Sequence, residues 1–120
     1  MSKINFKKVV GAIVLLALAL PMTIFSFNLE ENLTEQFYIE KIRSYNHSVI
    51  ETKADDTLIT YAYETCAMLD SGKNVDDVRK YIMGDLKKTD AVLIYGAIVV
   101  KLSVDIFCPQ YTDQTEAWVY

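Results

Sequence analysis

Residues 55–72 read DDTLITYAYETCAMLDSG, and this stretch decides the fold because its apolar residues recur at helical spacing and include one of the two cysteines. Four apolar side chains fall on one face at helical spacing, with Thr65 as the one polar residue among them: Leu58, Ala62, Cys66 and Leu69. Asp55 or Asp56 can cap the start of this helix, and Gly72 suits the left-handed position beyond its end. The stretch therefore predicts an amphipathic helix that carries a cysteine on its apolar face.

Two further helices are predicted downstream. Asn74 can cap a short helix with a narrow apolar stripe, Val75, Val78 and Ile82, that ends near Gly84. Thr89 then opens the last long segment, residues 91–107, which reads AVLIYGAIVVKLSVDIF and is apolar on most faces. We predict a buried helix here, because the run is longer than a typical strand yet too short and too charged to cross a membrane.

The flanking segments complete an all-α prediction. Residues 31–44, ENLTEQFYIEKIRS, place apolar side chains loosely at helical spacing and predict a first helix, whereas residues 45–53 contain turn formers and predict a connection. Residues 110–120 form a polar tail in which Trp118 either docks on the domain or contacts a partner. The expected fold is a small bundle of about four helices, with a helical domain at residues 28–109 and a C-terminal tail at residues 110–120.

The N-terminal residues have the pattern of an export signal. Lys3, Lys7 and Lys8 precede the uncharged run VVGAIVLLALAL at residues 9–20, as the positive region of a signal peptide precedes its apolar part. Residues 1–27 are therefore predicted to be a signal peptide or, if residues 9–27 are retained, a single-pass membrane anchor. Both interpretations place residues 28–120 outside the cytoplasmic membrane. The alternative is a buried helix of a cytosolic protein.

The charge of the remaining chain excludes one class of partner. Residues 28–120 contain 9 basic and 16 acidic side chains, a formal net charge of −7. The basic residues are interspersed with carboxylates and form no stripe, so a phosphate backbone would be repelled. Nucleic-acid binding is not expected.

Cys66 and Cys108 are the two cysteines of the chain. Because an exported protein folds in an oxidising compartment and no third cysteine competes, they are predicted to form one disulfide. Two buried free thiols are the alternative. A metal site is not predicted, since two cysteines and the remote His47 do not make a four-ligand set.

These residues also resemble a known family. The segment Cys66-Ala-Met-Leu69-Asp70-Ser-Gly72, followed by a helical stretch and Phe107-Cys108-Pro109, is similar to the small secreted proteins of the domain of unknown function 732 family. The resemblance spans residues 34–109 and implies a secreted or surface-anchored helical fold with a disulfide and no established catalytic residues. A fainter similarity, to periplasmic immunity proteins of type VI secretion systems, implies a toxin-binding surface.

No set of side chains predicts a catalytic, cofactor-binding or metal site. His47 lies in the polar connection with no assignable partner, so we interpret it as a solvated loop histidine. The acidic pairs Glu30-Glu31, Asp55-Asp56 and Asp76-Asp77 are neighbours that do not share a helix face, and they fit helix starts better than acid–base catalysis.

The expected function is therefore binding or structural, in the cell envelope or the extracellular space, with no enzymatic activity. A periplasmic immunity protein that neutralises a secreted toxin is the alternative, and an envelope hydrolase is the competing class. The chain has 8 tyrosines. We expect most of them to line the edge of the core with their hydroxyls in water, although tyrosine is also enriched at binding surfaces.

Overall fold

The computed structural model describes residues 31–118, and every regular element in that part of the chain is helical. The elements in chain order are α1 at residues 31–43, α2 at Ser48–Glu51, α3 at Asp55–Asp70, α4 at Val75–Met83, α5 at Asp90–Phe107, a 3-10 turn at Pro109–Tyr111 and α6 at Thr112–Thr115. The predicted all-α class is thus confirmed. The predicted signal peptide or anchor, residues 1–27, lies outside the described residues. Within residues 31–118, no helix is both long and apolar enough to span a bilayer.

α5 forms the centre of the domain, as its composition predicts. The other helices from α2 onward and the C-terminal turn pack around it, so most of its faces are buried. Gly96 lets α4 approach closely, because a Cβ atom at this position would lie 2.8 Å from Cγ of Arg79 and 2.9 Å from Cγ of Met83. From α3, Leu58, Ala62 and the polar Thr65 are fully buried.

Most helix ends follow the predicted signals. The Asn74 side chain accepts a hydrogen bond from the amide of Asp77 at 2.9 Å, and the Thr89 side chain accepts one from the amide of Val92. Gly72 adopts a φ of +103° just beyond α3, a left-handed conformation that favours glycine. The side-chain bonds from Asn74 and Thr89 satisfy amide groups that the first turn of a helix leaves unpaired.

The start of α3 differs from the prediction. The N-cap residue is Ala54, which makes no side-chain capping bond, while Asp55 and Asp56 lie in the first turn. Asp55 instead pairs with Arg43 from α1, at 2.7 Å between Oδ1 and Nη2. The expected acidic enrichment at the helix start is confirmed, whereas capping by either aspartate is wrong because a tertiary ion pair engages Asp55.

The predicted connection at residues 45–53 contains a short helix. α2 is capped by His47, whose Nδ1 accepts a hydrogen bond from the amide of Val49 at 3.1 Å. His47 is half-buried, and its ring centroid lies 6.5 Å from that of Tyr95. The interpretation of His47 as a solvated loop residue is therefore wrong, because a single turn of helix has no period that a sequence pattern can show.

The segment predicted as a polar tail docks on the domain in its described part. Pro109–Tyr111 and Thr112–Thr115 form the last two helical turns, and Thr115 is fully buried. Trp118 packs against the core, and the Arg79 guanidinium lies over its ring, 5.1 Å from the ring centroid. Of the two alternatives for Trp118, the structure shows docking.

Candidate functional site

α3 contributes one residue to each of three hydrogen bonds between a tyrosine and a carboxylate. Tyr63 of α3 donates to Glu35 of α1 at 2.8 Å, and Tyr81 of α4 donates to Glu64 of α3 at 3.0 Å. The third bond runs from the Tyr111 hydroxyl to Asp70, the last residue of α3. We call this set of three pairs the tyrosine–carboxylate face. It joins α1, α4 and the C-terminal turn to one helix.

Each of these phenols is the donor, so the negative charge belongs to the carboxylate. The hydrogen bond to Glu64 is the main reason that the pKa of Tyr81 is raised, and the hydrogen bond to Asp70 does the same for Tyr111. Both effects arise because a nearby anion disfavours a phenolate. The face therefore presents neutral phenols beside carboxylates.

No lysine or arginine among residues 31–118 forms an ion pair with a carboxylate of the tyrosine–carboxylate face. Residues 55–70 include no lysine or arginine, and the ion pairs found between residues 31 and 118 involve three other carboxylates: Asp55 with Arg43, Asp76 with Arg79, and Asp105 with Lys101. Glu35, Glu64 and Asp70 are thus neutralised by no described side chain.

Tyr81, which is 48% exposed, lines two cavities. The smaller cavity is about 250 Å³ and mainly apolar, and its lining is Glu64, Ala67, Met68 and Tyr81. The larger is about 390 Å³ and is lined by Lys53, Tyr61 and residues 81–86. Tyr81 is the residue that the two cavities share.

The predicted disulfide is confirmed. Cys66 and Cys108 are bonded, with their Cα atoms 5.9 Å apart, and Cys108 is buried. The bond attaches the end of α5 to the last turns of α3, directly before the C-terminal turn that carries Tyr111. It therefore supports one of the three tyrosine–carboxylate pairs.

The other candidate residues of the sequence occupy structural positions. Asp76 and Asp77 lie in the first turn of α4, as predicted for that acidic pair, and His47 caps α2. Among the described residues, no group of three side chains of the metal-ligating types is close enough to hold a metal ion. The described candidates are thus spread over different helix starts and do not converge on one site.

The tyrosines only partly follow the prediction that their hydroxyls lie in water. Tyr38 and Tyr95 are fully buried, and burial raises the pKa of Tyr38 to about 12 against the smaller opposing effect of Ser103. Burial is also the main cause of the raised pKa of Tyr95. The pairing of other tyrosines with carboxylates was not predicted, because the partners are far apart in the chain.

Comparison with known proteins identifies the family. The model of a family described as "Protein of unknown function (DUF732)" matches residues 34–110, which include both cysteines. The chain belongs to this family. The DUF732 match confirms the resemblance predicted from the cysteine segments. Searches of curated proteins and of solved structures found no match, and the similarity to immunity proteins has no support from these comparisons.

Proposed function

We propose that this DUF732 protein is an exported, non-enzymatic binding module of the cell envelope or extracellular space. Its binding surface is the tyrosine–carboxylate face of α3, and its partner is a basic protein. The observation that carries the proposal is the placement of three tyrosine–carboxylate pairs along one helix, with no cation from residues 31–118 paired to them. Tyrosine contributes contact area and a hydrogen bond at low entropic cost.

Export has two independent lines of support. Disulfides persist in oxidising compartments, and the bond between Cys66 and Cys108 joins the only two cysteines of the chain. The lysines and the apolar run that precede residue 28 have the order of a signal peptide or anchor. A reporter that is active only outside the cytoplasm, fused after Tyr120, is expected to be active. Activity of a cytoplasm-only reporter at the same junction would contradict export.

A binding role fits the chemistry of the described residues better than catalysis. His47, the one histidine, directs Nδ1 to a backbone amide and caps a helix. Acid–base catalysis needs a group held within reach of a substrate, whereas this nitrogen is engaged in the fold. Turnover of an envelope substrate that disappears in His47→Ala would contradict the proposal.

Removal of charge from the face tests binding directly. In the variant Glu35→Gln/Glu64→Gln/Asp70→Asn each side chain can still accept the tyrosine hydrogen bond, so the fold is kept while three negative charges are lost. We expect envelope proteins retained by the immobilised wild type to be lost with this variant.

The matched control removes three exposed carboxylates that lie outside the face, in the variant Glu40→Gln/Glu51→Gln/Glu116→Gln. Because the control has the same net charge, equal loss in both variants would indicate a nonspecific charge effect. Unchanged retention by the first variant would refute the face as the binding surface.

A further inference from the structure

Beyond the general attraction of a basic partner, we propose that the smaller cavity beside Tyr81 receives one lysine or arginine side chain of that partner, and that the larger cavity receives an adjacent apolar side chain. This inference rests on the proposed function and specifies what the face recognises. Both cavities are bordered by the Tyr81 side chain.

The smaller cavity matches the two parts of a long basic side chain. Ala67 and Met68 provide an apolar wall for an aliphatic stem, and Glu64 provides the carboxylate for its charged end. Lysine and arginine bury their stems along apolar surfaces in this way. The exposed ring of Tyr81 adds a surface over which a cation is attracted to the aromatic face.

Glu64 retains hydrogen-bonding capacity for such a cation. Tyr81 donates to Oε1, whereas Oε2 receives no hydrogen bond from a described residue. The carboxylate is half-buried and has no cationic partner among residues 31–118. A guanidinium is suited to this position because its planar donors match both carboxylate oxygens.

The larger cavity is suited to an uncharged apolar side chain of the partner. Ile82, Met83 and Leu86 contribute the apolar part of its lining. Lys53 and Asp85 both line this cavity, and neither makes an ion pair in the described part of the chain, so their opposite charges offset each other and favour neither a cation nor an anion. An uncharged apolar side chain is therefore preferred there. The two cavities together recognise a basic residue next to an apolar one.

The experiment titrates the full-length chain, in a non-ionic detergent, with blocked dipeptides of leucine and arginine in both orders. The matched probes contain citrulline, which has the shape of arginine without its charge. We expect amide signals of Glu64, Ala67, Met68 and Tyr81 to shift with at least one arginine probe in a nuclear magnetic resonance spectrum. Binding of that probe is expected to be about fivefold tighter than that of its citrulline counterpart, the size typical of a partly exposed charge pair.

Glu64→Gln separates charge from shape, because glutamine still accepts the Tyr81 hydrogen bond. This variant is expected to bind the arginine and citrulline probes equally. Glu40→Gln is the matched control: it removes an exposed carboxylate that lies outside the face and lines neither cavity, and it is expected to keep the fivefold difference.

Equal binding of both probes by the wild type, or shifts confined to the region of Glu35 and Tyr63, would overturn the cavity assignment. These outcomes leave the proposed function standing if the triple charge variant still loses the envelope partner. Retention of the partner by the triple variant refutes the proposed function, whatever the dipeptides show.

Discussion

Arg43 joins three elements of the domain, and its replacement by methionine is the most informative test of the fold. Its guanidinium donates to the carbonyl oxygens of Ile50 at 2.8 Å and Lys53 at 2.6 Å. It also forms two bonds with Asp55, at 3.2 and 2.7 Å. Methionine keeps much of the aliphatic packing of the stem but removes every donor.

The expected cost follows from these contacts. A hydrogen bond to a charged group contributes about 1.5–3 kcal/mol when buried, and the 30% exposure of the Arg43 side chain reduces each carbonyl bond to about 1 kcal/mol. The Asp55 side chain is 59% exposed, so the ion pair adds less than about 1 kcal/mol. Arg43→Met should therefore lower the free energy of unfolding by about 2–3 kcal/mol. The corresponding drop in Tm is about 10–20 °C for a domain of this size.

Urea unfolding followed by far-ultraviolet circular dichroism measures this cost. Asp55→Asn is the matched control, because it removes the ion pair and leaves both carbonyl bonds in place. If Arg43→Met costs no more than Asp55→Asn, the two carbonyl bonds contribute nothing, and the assignment of Arg43 as the connection between α1, α2 and α3 is refuted.

Three other expected outcomes test the core and its covalent link. Cys66→Ala/Cys108→Ala should lower the free energy of unfolding by about 4 kcal/mol in the chain-entropy model, from the length of the closed loop. When the wild type is unfolded without reductant and treated with an alkylating agent, its mass should show no modified thiol, and two alkylated cysteines would contradict the bond. Gly96→Ala should cost about 1–3 kcal/mol in the same urea assay because the new methyl group meets α4, and an unchanged midpoint would contradict the close approach. Above pH 10 stability should fall up to about pH 12, because the unfolded chain loses the Tyr38 proton before the folded chain does. Tyr38→Phe should reduce that fall, and the slope that remains is assigned to Tyr95, Tyr81 and Tyr111, whose pKa values are raised too. An identical slope in the variant would contradict this account.

The sequence predicts the long helices well because their signals are local. The apolar stripe of α3, the caps Asn74 and Thr89 and the glycine ends all act within one or two turns of the chain. The length and composition of the α5 segment predict a buried helix, since the run is longer than a typical strand and so apolar a run must be surrounded. The two cysteines sufficed for the disulfide because only one intramolecular pairing exists.

Helical segments of one turn or less are not predicted from the sequence. α2 is a single turn capped by a histidine, and the turns after Cys108 are equally short, so neither shows a hydrophobic period. Asp55 has the residue type and position of a cap, but the guanidinium of Arg43 competes for it. Here a tertiary contact overrides a local preference.

The sequence by itself therefore determined the helical class, the main helices, the single disulfide and the acidic character of the domain. Only the tertiary structure decided which tyrosines meet carboxylates, because the partners are separated by 28, 17 and 41 positions in the chain. Helix periodicity shows which residues share a face, but the rotation and crossing of helices decide which faces meet. The cavities beside Tyr81 arise in the same way, since α3 and α4 each supply part of the lining and neither helix encloses a cavity alone.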